Sequence, residues 1–266
     1  MTAAGGLVSP IPTDALRVRL READVALLDL DGSMHWGITQ GVAAFHAFWR
    51  IAVRPERPSD RHFVLPLGLA GARLTAMQLN PGRPPAAIHN RRMIDVWCRT
   101  FRGVPMAYFR RAARHIPANS FTGVQQTITR LADRARVGIV SVGLEVIVRE
   151  YVRQFSANGA SHIAFYRCNR METETRDGRE TFAGTYQRPW IASPADKRRA
   201  GTEVMDALGA RRPLLIGNDE GDVPLAHAVR ERGGLAIGVA PPEAVRSAFD
   251  AWLAQPDWSP LAEMLG

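Results

Sequence analysis

Residues 25 to 33, Val-Ala-Leu-Leu-Asp-Leu-Asp-Gly-Ser, constrain the fold more than any other stretch. An apolar run without polar alternation is a strand buried on both faces, and such strands belong to parallel sheets covered by helices. Sheets of this kind carry functional groups at the carboxyl ends of their strands. This run ends in two carboxylates, Asp29 and Asp31, followed by Gly32 and Ser33. A chain that turns at Gly32 can aim one carboxylate at a reacting centre and hold the other beside it. An Asp-Gly turn after a core strand accounts for the same residues without chemistry, so the assignment depends on the other strand ends.

The rest of the chain supplies those ends. Thr13 caps a short amphipathic helix over 14–23 that leads into the first strand. From residue 122 helix and strand alternate: a helix to 134, a strand at 137–141, a helix at 144–157 and a strand at 162–166. A polar stretch around Asp177-Gly178 reads as a β-hairpin. A helix at 194–208, a strand at 213–217, a helix at 223–232, a strand at 235–239 and a helix at 242–253 follow. Five strands separated by helices imply an α/β fold, a Rossmann-like parallel sheet flanked by helices with right-handed crossovers. Between the first two strands, 41–53, 87–101 and 104–116 read as helices. Proline-rich breaks at 54–59 and 80–85 enclose an apolar stretch, 62–79. The expected organisation is a core of 1–36 and 123–266 with an inserted helical cap over 37–122.

Composition narrows the setting. The 266 residues suffice for a core domain with an insertion. Cys98 and Cys168 lack metal-type spacing, which fits a reducing compartment and no disulfide framework. No basic region followed by an apolar one opens the chain, and the most apolar stretch is broken by Pro66, Gly68, Gly71 and Arg73. The expectation is a cytoplasmic protein without a transmembrane segment. The formal charge of +8 is unevenly placed: between Gln40 and Gln125 thirteen arginines face only Glu56, Asp60 and Asp95, a local net of +10. Such a segment suits an anionic substrate, an acidic membrane surface or nucleic acid, and it also suits a solvated helical surface. The aromatics of the segment recur at helical spacing and read mostly as its core.

Each later strand end carries a suitable group. The second ends at Ser141, with Gly143 two residues on, where a hydroxyl and free amides before a helix can hold an anion; Ser141 is equally an ordinary helix cap. The fourth runs into Gly217-Asn218-Asp219-Glu220-Gly221-Asp222, a loop rich in the oxygen donors hard cations prefer. Lys197 is the only lysine among 34 basic residues and lies on the helix leading to that loop. A compact ammonium and a planar guanidinium differ most at a tight anion site.

Asp29-Leu-Asp31-Gly-Ser33, Ser141, Lys197 and the 217–222 loop, in that order, resemble the motif series of the haloacid dehalogenase superfamily. The inserted helices and the hairpin look most like its phosphoserine-phosphatase branch. The resemblance implies a Mg²⁺-dependent phosphatase hydrolysing a phosphate monoester. Asp29 would form an aspartyl phosphate, Asp31 would act as general acid and base, and Ser141, Gly143 and Lys197 would bind phosphate. The metal set would be drawn from Asp29, Asp31, Asn218, Asp219 and Asp222. Asp31 favours phosphate esters over carbon–halogen bonds, because dehalogenases of the superfamily generally lack it.

Two positions depart from the family pattern. Asn218 stands where the acidic loop usually begins with Asp, so either its amide oxygen or Asp219 would meet the metal. Residues 34–55 contain no Asp or Glu to meet a substrate ammonium, which argues against phosphoserine. His35 and Trp36 follow the catalytic loop and either touch a leaving group or pack at the hinge. The expected partner is a small phosphorylated substrate carrying additional negative charge, with no stable nucleic-acid partner. The alternatives are a phosphatase for lipid or nucleic-acid-terminal phosphates, and a non-catalytic regulatory protein of the same fold.

Overall fold

The computed structural model describes residues 2–4, 6–79, 86–157 and 159–266. In chain order the elements are β1 (Thr2–Ala4), β2 (Leu7–Ser9), α1 (Thr13–Arg21), β3 (Val25–Leu28), α2 (Thr39–Val53), α3 (Val64–Leu79), α4 (Ala86–Phe101), α5 (Met106–Ala113) and α6 (Val124–Ala132). They continue with β4 (Arg136–Leu144), α7 (Glu145–Gln154), β5 (Ser156–Ala157), β6 (Ala160–Ser161), β7 (Phe165–Asn169), β8 (Met171–Arg176) and β9 (Arg179–Tyr186). The chain closes with α8 (Pro194–Ala207), β10 (Pro213–Gly217), α9 (Val223–Glu231), β11 (Leu235–Val239), β12 (Ala251–Leu253) and α10 (Ser259–Leu265).

The main sheet has the order β1-β2-β12-β11-β10-β3-β4-β7. From β12 to β7 all neighbours are parallel, whereas β2 and β1 add on antiparallel at one edge. β3, β10 and β11 are buried along their whole length, as their uninterrupted apolar runs require. One apolar cluster unites the sheet with α1, α6, α7 and α10, and a second lies under α8 and α9. Helices therefore cover both faces. The parallel pairing of β10 with β3 and of β3 with β4 places their carboxyl ends side by side, and the 29–33, 141–143 and 217–222 segments meet there.

Several local expectations are corrected. Residues 242–253 form a 3₁₀ turn over Glu243–Ala248 and then the strand β12, not a helix. β12 pairs in parallel with β11, and its inward Ala251 and Leu253 alternate with the half-buried Trp252. The parallel sheet thus has six strands rather than five. Helix α1 begins at Thr13 behind Pro12 and has no side-chain cap. The third expected strand lies a few residues later, at β7, and β4 runs beyond Ser141 to Leu144 through an irregular register. The proline-rich break at 80–85 lies outside the described residues.

Helices α2 to α5 all fall between β3 and β4. They pack on one another, with Trp97 stacked on Phe101 and Phe109 beside them. The β8–β9 hairpin, which follows β7, joins this group. Gly103 donates its amide to the carbonyl of Phe182 at 2.7 Å, and Phe182 donates to that of Val104 at 3.0 Å. Among the described residues no helix is long and apolar enough to cross a membrane.

Candidate active site

Asp29 follows β3 directly and stays in the sheet, its amide donating to Ile216 of β10 at 2.9 Å. The chain then turns through Gly32, at φ +81°. A side chain on Gly32 would also collide with Asn218, whose Nδ2 lies 2.2 Å from the position of an added Cβ. Glycine is therefore required twice, for its backbone angle and for the approach of the 217–222 loop. From the far end of the chain, the buried Trp258 donates its indole N–H to the carbonyl of Ser33 at 2.9 Å and fixes the turn.

Lys197 is buried and bridges two carboxylates. Its Nζ donates to Asp29 Oδ1 and, at 2.7 Å, pairs with Asp222 Oδ1. Helix α8 delivers it: Ser193 caps the helix by accepting from the Asp196 amide at 3.1 Å, Pro194 opens the first turn, and Lys197 falls one turn in. The other oxygen of Asp222 accepts from the Asn218 amide at 2.9 Å. Asp222 is therefore a partner of the lysine and of the loop backbone. Burial works against the Lys197 charge, but Asp222 and Asp29 outweigh it and raise its pKa above the ordinary lysine value. Burial raises the Asp29 pKa well above the carboxylate range; Lys197 opposes this, and Asp222 and Asp219 add to it.

Asp31 points elsewhere. Its Oδ1 accepts from the amide of Thr39 at 2.8 Å, in the first turn of α2. Burial raises its pKa, with the Thr39 bond acting against the rise. Across the gap Ser141 Oγ accepts from the Gly143 amide at 3.0 Å. Leu144, not Ser141, occupies the cap position of α7, so the hydroxyl is not an ordinary cap.

Asp29, Asp31, Ser141, Lys197 and Asp219 line one cavity of about 130 Å³. Its roof comes from Ile38 and Gln40 at the start of α2 and from His89, Asn90, Met93 and Ile94 of α4. None of these roof residues was singled out in the sequence, which gives no signal for which turn of an inserted helix overhangs a strand end. Asn169 was also missed. Its amide donates to Val142 at 2.8 Å and to Ile191 at 2.9 Å, and its oxygen accepts from the Ile191 amide at 2.9 Å, tying β4 to the approach to α8. The sequence offered no clear clue to it, because β7 is half-buried and interrupted by the exposed Arg167. His35 is buried but backs the loop, its Nδ1 2.7 Å from the carbonyl of Trp36; Trp36 lies exposed with its edge against Phe121. Neither lines the cavity, so both belong to the hinge.

The net positive charge of the insertion predicts a substrate with additional negative charge. No arginine lines the cavity among the described residues. The described arginines of the insertion are exposed, their apolar stems lying along the surface and their charged heads in solvent.

The donor set suits a hard divalent cation. Asp29 Oδ2 and Asn218 Oδ1 lie 3.1 and 3.2 Å from Ser33 Oγ, whose single proton serves one of them fully at a time. Asp29 and Asp222 hold the one ammonium between them, and Asp31 and Asp219 stand around the same cavity, so carboxylates outnumber cations there. Asp219 is turned away, its Oδ1 accepting from the Gly221 amide at 2.8 Å. Burial, then Asp222, raises its pKa. Among the described residues no three His, Cys, Asp or Glu side chains are grouped to hold a metal. The residues fit a cation that rests on the Asp29 carboxylate and the Asn218 amide oxygen.

No family model matches the sequence, and no curated protein matches it. Solved structures do match the fold. The crystal structure of cytosolic 5'-nucleotidase IIIB bound to cytidine superposes with a TM-score of 0.69 at 15% identity, over 99% of this chain and 94% of that one. A substrate-bound phosphoserine phosphatase superposes with a TM-score of 0.62 at 15% identity, over 91% of this chain and 97% of that one.

Proposed function

The chain has the haloacid dehalogenase fold, and from that premise we propose that it is a phosphoric monoester hydrolase acting through an aspartyl phosphate on Asp29. The observation that carries this reading is the convergence of Asp29, Asp31, Ser141 and Lys197, from separate strand ends and a helix, on one small cavity. Helices α2 to α5, together with the hairpin packed on them, act as the cap over a core that begins with residues up to 36 and resumes at 123.

Asp29 attacks phosphorus as the bond to the alcohol oxygen breaks, and Asp31 gives its proton to that oxygen. Burial favours the protonated Asp31 that this step needs. The Asp31 carboxylate then removes a proton from the water that attacks the aspartyl phosphate, releasing phosphate and restoring Asp29. Lys197 favours the ionised nucleophile and offsets the phosphoryl charge, while Ser141 donates its hydroxyl to a phosphoryl oxygen. Gly143 has no Cβ because one would crowd Ser141 Oγ at 3.2 Å. A magnesium ion held by Asp29 and Asn218 would supply further charge neutralisation.

The roof of Ile38, Met93 and Ile94 with Gln40, His89 and Asn90 suits a small leaving group without a charge of its own. The test is phosphate release from a panel of neutral and anionic monoesters, with Mg²⁺ and with EDTA. The Asp29→Asn protein is expected to lose release by at least about three orders of magnitude. Unchanged release in that variant would rule out the covalent route, and a preference for strongly anionic esters would rule out the leaving-group assignment.

A further inference from the structure

The outer face of α2 and α3 combines features that the cavity does not use. Phe45, Trp49 and Val53 recur every four residues along α2, and Leu65 and Leu69 do so on α3; all five are between 50% and 71% exposed. The two helices meet where Phe48 lies against Gly68, an added Cβ there standing 3.4 Å from the ring. Spacing of three and four residues places Phe45 and Trp49 just beside this seam on α2, and places Leu65 and Leu69 on the solvent side of it on α3. The rings of Phe45 and Trp49 touch edge to face at 6.2 Å. The result is an apolar plateau of exposed side chains carried by two adjoining helices.

Arginines border the plateau. Arg50 and Arg54 lie exposed beyond Trp49 and Val53, and Arg73 lies one turn past Leu69. Of the three acids in the insertion, Asp60 is buried against Arg179 and Glu56 pairs with Arg111 at 3.0 Å, while the exposed Asp95 lines the groove beside Leu69 and Arg73 together with Arg92 and Arg99, which leaves the border net positive. A second copy of the chain would bring the same positive charge against it. A nucleic acid would satisfy the charge and stack on Phe45 and Trp49 but leave the aliphatic Val53, Leu65 and Leu69 without a partner. An anionic lipid surface satisfies both.

We propose that this face of α2 and α3 docks on anionic membrane surfaces, with Phe45, Trp49, Leu65 and Leu69 entering the interface and Arg50, Arg54 and Arg73 meeting lipid headgroups. The test is co-sedimentation of the full chain with phosphatidylcholine vesicles, with and without phosphatidylglycerol, at low and high salt. Sedimentation velocity without lipid and thermal unfolding accompany it. Binding is expected only to the phosphatidylglycerol vesicles, weakening with salt. Phe45→Ser with Trp49→Ser is expected to lower it about ten-fold or more. Arg50→Ala and Arg73→Ala should each lower it about five-fold, with unfolding unchanged in every variant. No binding to anionic vesicles, or binding indifferent to these substitutions, overturns the proposal. A lipid-free dimer abolished by the Phe45 and Trp49 substitutions also overturns it, in favour of a second copy.

Discussion

Arg179 closes a two-pronged hydrogen bond on Asp60, Nη1 reaching Oδ2 at 2.9 Å and Nη2 reaching Oδ1 at 2.7 Å. The pair joins β9 to the turn before α3. Tyr108 of α5 completes it by donating its hydroxyl to Asp60 Oδ2 at 2.7 Å. One buried carboxylate thus fastens the hairpin and two parts of the helical insertion into one body. Asp60→Asn leaves the guanidinium beside a neutral amide and is expected to cost about 3 kcal/mol. Urea unfolding measures it, and a change within about 0.5 kcal/mol, the range of ordinary surface substitutions, would show that the fork does not hold the insertion.

The same carboxylate sets an acid limit. Arg179, more than any other group, holds the Asp60 pKa at about 2 against its ordinary 3.8. A pKa depressed in the folded state stabilises above the ordinary value and loses that contribution as pH falls toward the folded one. The native protein should therefore give up about 2 kcal/mol between about pH 4 and pH 2 through this group. Stability curves of the native and Asp60→Asn proteins should converge across that window. Curves that stay parallel would mean that Asp60 does not titrate as its partners require.

Lys197 stands between Asp29 and Asp222, and its removal leaves two buried carboxylates facing each other. Lys197→Met should cost about 3–5 kcal/mol and abolish phosphate release. Adding Asp222→Asn to it should restore part of the stability and none of the activity. The double variant separates burial of unpaired charge from catalysis. If it were no more stable than Lys197→Met alone, the ion pair would not be what the lysine contributes to the fold.

What the sequence conveyed follows a physical division. Strands buried on both faces must be apolar without a break, so β3, β10 and β11 stood out, and the polar residues ending them marked the candidate site. Lys197 stood out because a chain that uses arginine elsewhere kept one ammonium. β12 did not, since three residues after a 3₁₀ turn are too few to display a period. Nor did pairs such as Asp60 with Arg179 or Ser33 with Trp258, whose partners lie 119 and 225 positions apart. The thirteen arginines gave the charge of the insertion but not its direction, because helical spacing alone does not say which face looks into a cavity.

Asn218 stands where the resemblance leads one to expect an Asp at the start of the acidic loop, and its geometry makes the departure testable. Its Oδ1 shares the Ser33 hydroxyl with Asp29, whereas Asp219 is committed to the Gly221 amide. Asn218, rather than Asp219, is therefore placed to meet a cation beside Asp29. Asn218→Asp adds a charged ligand there and is expected to lower the Mg²⁺ concentration for half-maximal binding about ten-fold. The same change adds a fifth carboxylate around one lysine, so the variant should be less stable than the native protein in EDTA and gain more from added Mg²⁺. Calorimetric titration and thermal unfolding read the two effects independently of turnover. If Asn218→Asp left Mg²⁺ binding unchanged while Asp219→Asn weakened it, the cation would belong to Asp219, and the loop would have to turn that side chain inward on binding.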